Sequence, residues 1–197
     1  MQEENNILEN NLEKNTQNKW ASVWEIVKFA FIALIVVIPI RTFIAQPFVV
    51  SGASMFPTFH NGDYLIVDEL SYRLNDPKRY DVIIFKYPKD TSKFFVKRVI
   101  GLPNETVEIH KNEIIIKNET NKEGFVLDQS FIENNTQENI SFQLAEDEYF
   151  VMGDNRIASS DSRYWGAVKR ELIVGRAFIR LLPINKASIL PGKFESK

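Results

Sequence analysis

Three stretches of this chain combine residue types that can do covalent chemistry. The first is Ser51-Gly52-Ala53-Ser54-Met55-Phe56-Pro57-Thr58. Gly52 and Ala53 leave room for another backbone to approach Ser54, and Pro57 stops any helix there. A serine hydroxyl is a weak nucleophile until a neighbouring base takes its proton. Histidine is that base in most serine hydrolases, yet the chain has only two, His60 and His110, both in polar turns. The second stretch, Phe94-Phe95-Val96-Lys97-Arg98-Val99-Ile100, sets two bases in an otherwise apolar strand. Alternation places Phe95, Lys97 and Val99 on one face and Phe94, Val96 and Arg98 on the other, so one of the two bases is expected to face the interior. A lysine stripped of water there gives up its proton more readily, and the neutral amine can act as a base. The third stretch, residues 152–166, is dense in Gly, Asp, Asn, Ser and Arg and follows a strand, which suits a hydrogen-bonded platform beside a site.

Each stretch also has a plain structural reading. A serine flanked by Gly and Pro is a common turn residue, and Asp, Asn and Ser clusters form Asx-rich turns. An edge strand can carry both Lys97 and Arg98 outward into solvent. Composition narrows the field. With no cysteine, thiolate catalysis, disulfides and Cys-based metal sites are excluded. With no paired histidines either, no metal is expected. A net charge of −2 and no basic cluster argue against nucleic acid as a partner.

These stretches need elements to position them. Residues 1–19 are rich in Asn and Glu and read as a disordered cytoplasmic tail. The apolar run Phe29 to Ile40, extended to about residues 20–45, has the length of a bilayer span. Trp20 and Trp24 suit the headgroup belt, and Lys28 and Arg41 can snorkel to opposite interfaces. A buried core helix and a cleavable signal peptide are the competing readings; the second is disfavoured by the long acidic stretch before the run and by Phe43-Ile44-Ala45, which fails the small-x-small pattern. Lys14, Lys19 and Lys28 precede the run, and after Arg41 no Lys or Arg occurs until Arg73. A single pass with the N-terminus cytoplasmic and the rest extracytoplasmic is therefore expected. From 46 to 190 many short apolar runs alternate with turn residues, which argues a β-rich domain. Residues 118–146 are polar and read as a surface insertion or long loop, and 191–197 as a terminal tail.

Taken in order, the blocks resemble the type I signal peptidases. The likeness rests on Ser-Gly-x-Ser-Met-x-Pro-Thr at 51–58, Lys-Arg-Val-Ile-Gly-Leu-Pro at 97–103, Gly-Asp-Asn-Arg at 153–156, Ser-x-Asp-Ser-Arg-Tyr-Trp-Gly at 159–166, and Val-Gly-Arg-Ala at 174–177. The resemblance implies an all-β, mostly antiparallel catalytic domain of barrel or sheet type behind one N-terminal transmembrane helix. It implies a membrane-bound serine endopeptidase that removes signal peptides from secreted precursors at a bacterial plasma membrane or its equivalent, without a cofactor. Ser54 would be the nucleophile, Lys97 the general base, and Ser159 the hydroxyl that orients the lysine. Gly153, Asp154 and Asn155, with an Asp161–Arg163 ion pair, would support the loop. Phe48, Val50, Phe95 and Val96 would line the substrate site. Some members carry a serine two residues before the nucleophile as an oxyanion donor. Here that position is Gly52, so the hole would rest on backbone donors around Gly52 and Ser54. The rivals are a Ser/His hydrolase using His60 or His110, a self-cleaving Ser-Lys repressor-type peptidase, and an idle anchored β domain.

Overall fold

The computed structural model describes residues 23–35, 37, 45–132 and 138–194. The chain divides into two compact units, Met1–Phe43 and Ile44–Lys197. In the first, residues 23–35 form helix α1, whose apolar side chains, Trp24, Ile26, Phe29 and Ile32 among them, are exposed. Among the described residues no helix is long and apolar enough to cross a membrane. The span expected at 20–45 includes residues 20–22, 36 and 38–44, which lie outside the described set, as do the expected tail at 1–19 and residues 195–197.

The second unit is mostly antiparallel β. Its large sheet contains β1 (Ala45–Val49), β2 (Tyr64–Asp68), β3 (Val82–Tyr87), β4 (Asp90–Gly101), β9 (Glu148–Met152), β10 (Val168–Lys169), β11 (Ile173–Leu182) and β12 (Ser188–Ile189). They run in the order β1-β2-β11-β3-β4-β9-β10, with β12 also on β11. A smaller sheet has the order β7-β6-β5-β8, from β5 (Thr106–His110), β6 (Glu113–Lys117), β7 (Phe125–Val126) and β8 (Asn139–Gln143). Two short helices, α2 (Leu70–Leu74) and α3 (Ser162–Trp165), fill corners. The strands form where apolar residues recur every second position. Leu65 and Val67 of β2, and Val107, Ile109, Ile114 and Ile116 of the β5–β6 hairpin, all point into core clusters.

Strand β4 departs from alternation. Lys97 is only 4% exposed and Arg98 only 1%, so both bases are inside, not one. The cause lies on the two sides of the strand. Val99 packs with Ile83, Phe85 and Val151, and Ile100 with Val107, Phe150 and Met152 in a separate cluster. A strand covered on both faces buries consecutive residues.

The polar stretch 118–146 is not merely a surface loop. It supplies β7 and β8, and its Leu127 and Leu144 are buried in the core. Strand β8 sets Ile140 opposite Ile109 and Phe142 opposite Val107. Two or three apolar side chains suffice to fold a segment onto an open sheet edge, even when its average composition is polar. The stretch expected as a tail from 191 is likewise packed as far as it is described: the Phe194 ring lies 4.9 Å from those of Tyr80 and Phe131.

Candidate active site

Ser54 lies in the turn that links β1 to β2. That turn is pinned on one side by the hairpin turn at 60–63. Val50 N–H donates to the Asp63 carbonyl (2.9 Å) and Gly62 N–H to the Val50 carbonyl (2.8 Å). Gly52 N–H donates to Asn61 Oδ1 (2.9 Å). Gly52 has φ +92°, a conformation open to glycine at no steric cost. On the other side the turn is held by the loop after β9. Asn155 N–H donates to the Ser54 carbonyl (3.0 Å), and Asn155 Nδ2 to the Ala53 carbonyl (3.2 Å). Thr58 Oγ1 donates to Asp154 Oδ2 (2.5 Å).

Lys97 reaches this turn from β4. Its Nζ lies 2.8 Å from Ser54 Oγ and donates to the Val96 carbonyl at 2.9 Å. Burial drives the lysine pKa down from its ordinary value of 10.5 to about 8, while the carboxylates of Asp161 and Asp154 oppose the fall. The Phe95 ring centroid, 5.3 Å from Nζ, covers one side of the amine. A hydroxyl and a desolvated amine in hydrogen-bond contact form a nucleophile–base pair: when the amine is neutral, the hydroxyl donates to its lone pair.

The loop beneath is fixed by buried ions. Arg98 clasps Asp154 with two parallel bonds, Nε to Oδ1 (2.8 Å) and Nη2 to Oδ2 (2.6 Å). Its Nη1 donates to the carbonyls of Tyr80 (2.9 Å) and Gly192 (2.5 Å). Arg163 Nε donates to Asp161 Oδ1 (2.7 Å), and both side chains are buried. Asp161 Oδ2 also accepts from Gly153 N–H (3.0 Å). Gly153 must be glycine. A methyl group on it would fall 2.3 Å from Ser159 Oγ and 2.4 Å from the Ser54 carbonyl oxygen. The chain therefore passes directly between the nucleophile turn and Ser159.

Ser159 does not meet the expectation of a bond to the lysine. Its Oγ is buried and has no hydrogen-bond partner among the described residues. Gly52 offers no free backbone donor, because its N–H is bound to Asn61; among the described residues Ser54 N–H has no such acceptor. Neither histidine bonds Ser54. His60 lies edge-on to the Phe56 ring (5.2 Å) with Nε2 3.4 Å from Lys186 Nζ, and His110 sits 3.6 Å from Glu108.

A cleft of about 350 Å³ opens at Ser54 and Lys97. Phe48, Val50, Phe95 and Val96, the residues that the resemblance assigns to substrate, are among its lining. Leu65, Ile84 and Phe94 join them without having been singled out. Leu65 carried the signal of its alternation in β2, and Ile84 that of an apolar run, but neither marks a pocket rather than a core. Asn61 carried no signal at all, since its role exists only once its turn folds back on Gly52. The walls are β1, which among the described residues pairs with β2 alone, and the first half of β4, which pairs with β9 only from Arg98 onward. Both present unpaired edges, the usual means of capturing an extended peptide.

The family model described as "Signal peptidase, peptidase S26" matches residues 23–182. The chain belongs to this signal peptidase family. It is 36% identical to a probable signal peptidase I-2 of Synechocystis sp., over 98% of this chain and 88% of that protein. It is 34% identical to a signal peptidase I of Leptolyngbya laminosa, over 81% of this chain and 80% of the relative. A solved signal peptidase I of Enterococcus faecalis V583 is 31% identical, with a TM-score of 0.44 over 52% of this chain and 97% of that one. As a member of the S26 peptidases, the chain is a serine peptidase.

Proposed function

We propose that this signal peptidase cleaves precursor proteins behind their N-terminal signal segments through a Ser54–Lys97 pair, while anchored in a bilayer by the segment at 20–45. The observation that carries the mechanism is the 2.8 Å approach of a buried amine to Ser54 Oγ. With a pKa of about 8, about a tenth of the lysine is neutral at pH 7, against less than about 0.1% for an unperturbed amine.

Neutral Lys97 takes the Ser54 proton as Oγ attacks the scissile carbonyl. The resulting ammonium protonates the departing amine, leaving an acyl-enzyme. The amine, neutral again, takes a proton from water, which attacks the ester, and the ammonium returns that proton to Ser54 Oγ as the acid departs. The developing oxyanion would be met by Ser54 N–H, which has no acceptor among the described residues, and not by Gly52 N–H. The substrate would lie as an added strand between the edges of β1 and β4, which suits an extended segment before the cut. The apolar lining of the cleft suits small uncharged side chains there. Supporting the anchor are the apolar, exposed residues of α1 and the basic residues before the run.

The test is precursor cleavage in detergent by wild type, Ser54→Ala and Lys97→Ala. Loss in both variants is expected. Equal activity in all three rejects the mechanism. In wild type kcat/KM should rise with pH through about 8, because the protonated amine cannot accept the serine proton; a limb near 6 would point to histidine instead.

A further inference from the structure

Residues 118–146 take no part in the chemistry above. Three of their side chains nonetheless reach guanidinium groups that hold the catalytic loop. Arg156 Nη1 donates to Gln129 Oε1 at 2.5 Å. Arg163 Nη1 lies 3.4 Å from Glu138 Oε2. The Phe131 ring centroid stands 4.4 Å from Arg98 Cζ, and is itself stacked edge-on with Tyr80 and Phe194. All three guanidinium groups are buried.

On their other sides the same arginines grip the loop. Arg156 Nε donates to the Gly153 carbonyl (3.1 Å), Arg163 pairs with Asp161, and Arg98 with Asp154. The loop in turn holds the reacting groups: Asn155 fixes the Ser54 carbonyl, Asp154 fixes Thr58, and the charges of Asp161 and Asp154 favour the protonated form of Lys97. A guanidinium is planar and rigid, so constraint on one edge fixes the orientation of the other. The polar segment thus meets the loop one arginine at a time, with three different kinds of partner: an amide, a ring and a carboxylate.

We infer that Gln129, Phe131 and Glu138 clamp the catalytic loop and are positioning residues for the Ser54–Lys97 pair. The inference rests on the mechanism proposed above. Its test uses the full chain in detergent with a precursor substrate. Gln129→Leu removes the acceptor, and Phe131→Leu keeps apolar bulk but removes the ring face. Each should lower kcat by about 3- to 10-fold, the scale of one hydrogen bond or cation–π contact, with KM within about two-fold. Gln129→Glu and Phe131→Tyr keep the acceptor and the ring and should stay close to wild type. The rate at which a serine-directed phosphonate labels Ser54 should fall in step with kcat. Unchanged kcat in the Leu variants, a rise in KM at constant kcat, or equal loss in the Glu and Tyr controls would overturn the clamp. If the Leu variants do not fold, Glu138→Ala, which removes the acceptor and should lower kcat by about 3- to 10-fold, decides. Its side chain is about a third exposed, and unchanged kcat there would sink the inference. Ser54→Ala run alongside separates the two readings: if it cleaves like wild type, the mechanism itself has failed.

Discussion

Replacing Lys97 by Met should abolish cleavage and make the protein more stable, and the gain should depend on pH in a direction fixed by the structure. Met matches the lysine stem in length and flexibility but carries no charge into the core. In the native protein burial holds the lysine pKa near 8, against 10.5 when unfolded. The unfolded chain therefore binds more protons between those values, so this group's contribution to stability rises with pH through that window. Below pH 8 the folded state must hold a charged, desolvated amine. The difference between 10.5 and about 8 corresponds to about 3 kcal/mol. At pH 6 Lys97→Met should thus be more stable than wild type by about 3 kcal/mol beyond whatever difference remains well above pH 10.5, where the lysine is neutral both folded and unfolded. For a chain of this size that equals a midpoint shift of about 6–12 °C. Urea denaturation of both proteins at pH 6, 8 and 10 measures it directly, because every other titrating group is common to the pair and cancels. A gap that is constant with pH, or that widens as pH rises, would refute the claim that burial dominates at this lysine.

Two further outcomes follow from the same geometry. Gly153→Ala places a methyl group 2.3 Å from Ser159 Oγ and 2.4 Å from the Ser54 carbonyl; the chain must shift at the nucleophile, so kcat should fall at least about tenfold and the melting temperature should drop, as seen by steady-state kinetics and calorimetry. Asn61→Ala frees Gly52 N–H and loosens the turn, lowering kcat by about 3- to 10-fold, while Asn61→Asp keeps an acceptor and most of the rate; identical kinetics for the two variants would show that this bond does not position Ser54.

Strand locations were legible from period-2 alternation and short apolar runs. β2, β5 and β6 each bury one alternating set of residues, whereas β9 is buried on consecutive residues and shows in the chain only as a short apolar run. The chemical candidates were legible too. Only a lysine was available as base in a chain poor in histidine, and Gly153 stood in a block that turned out to need a residue with no side chain. The linear chain could not show that Lys97 and Arg98 are both buried. Alternation reports the two faces of one strand, and not whether something covers each. That was decided when separate clusters closed over both sides of β4.

The polar stretch at 118–146 misled for a related reason. Its few apolar residues are too sparse to register locally, but Ile140 and Phe142 gain partners on β5 once the sheet edge is in place. Ser159 was placed beside the lysine by resemblance, and the structure leaves its hydroxyl buried and unpartnered while the Val96 carbonyl takes the ammonium. The sequence by itself determined which groups could react and which segments would be extended. Only the tertiary structure brought Ser54 and Lys97, 43 residues apart, to 2.8 Å, and only it removed the water that would otherwise keep the amine charged. Proximity and desolvation belong to the packed assembly of strands, since no single segment can create either alone.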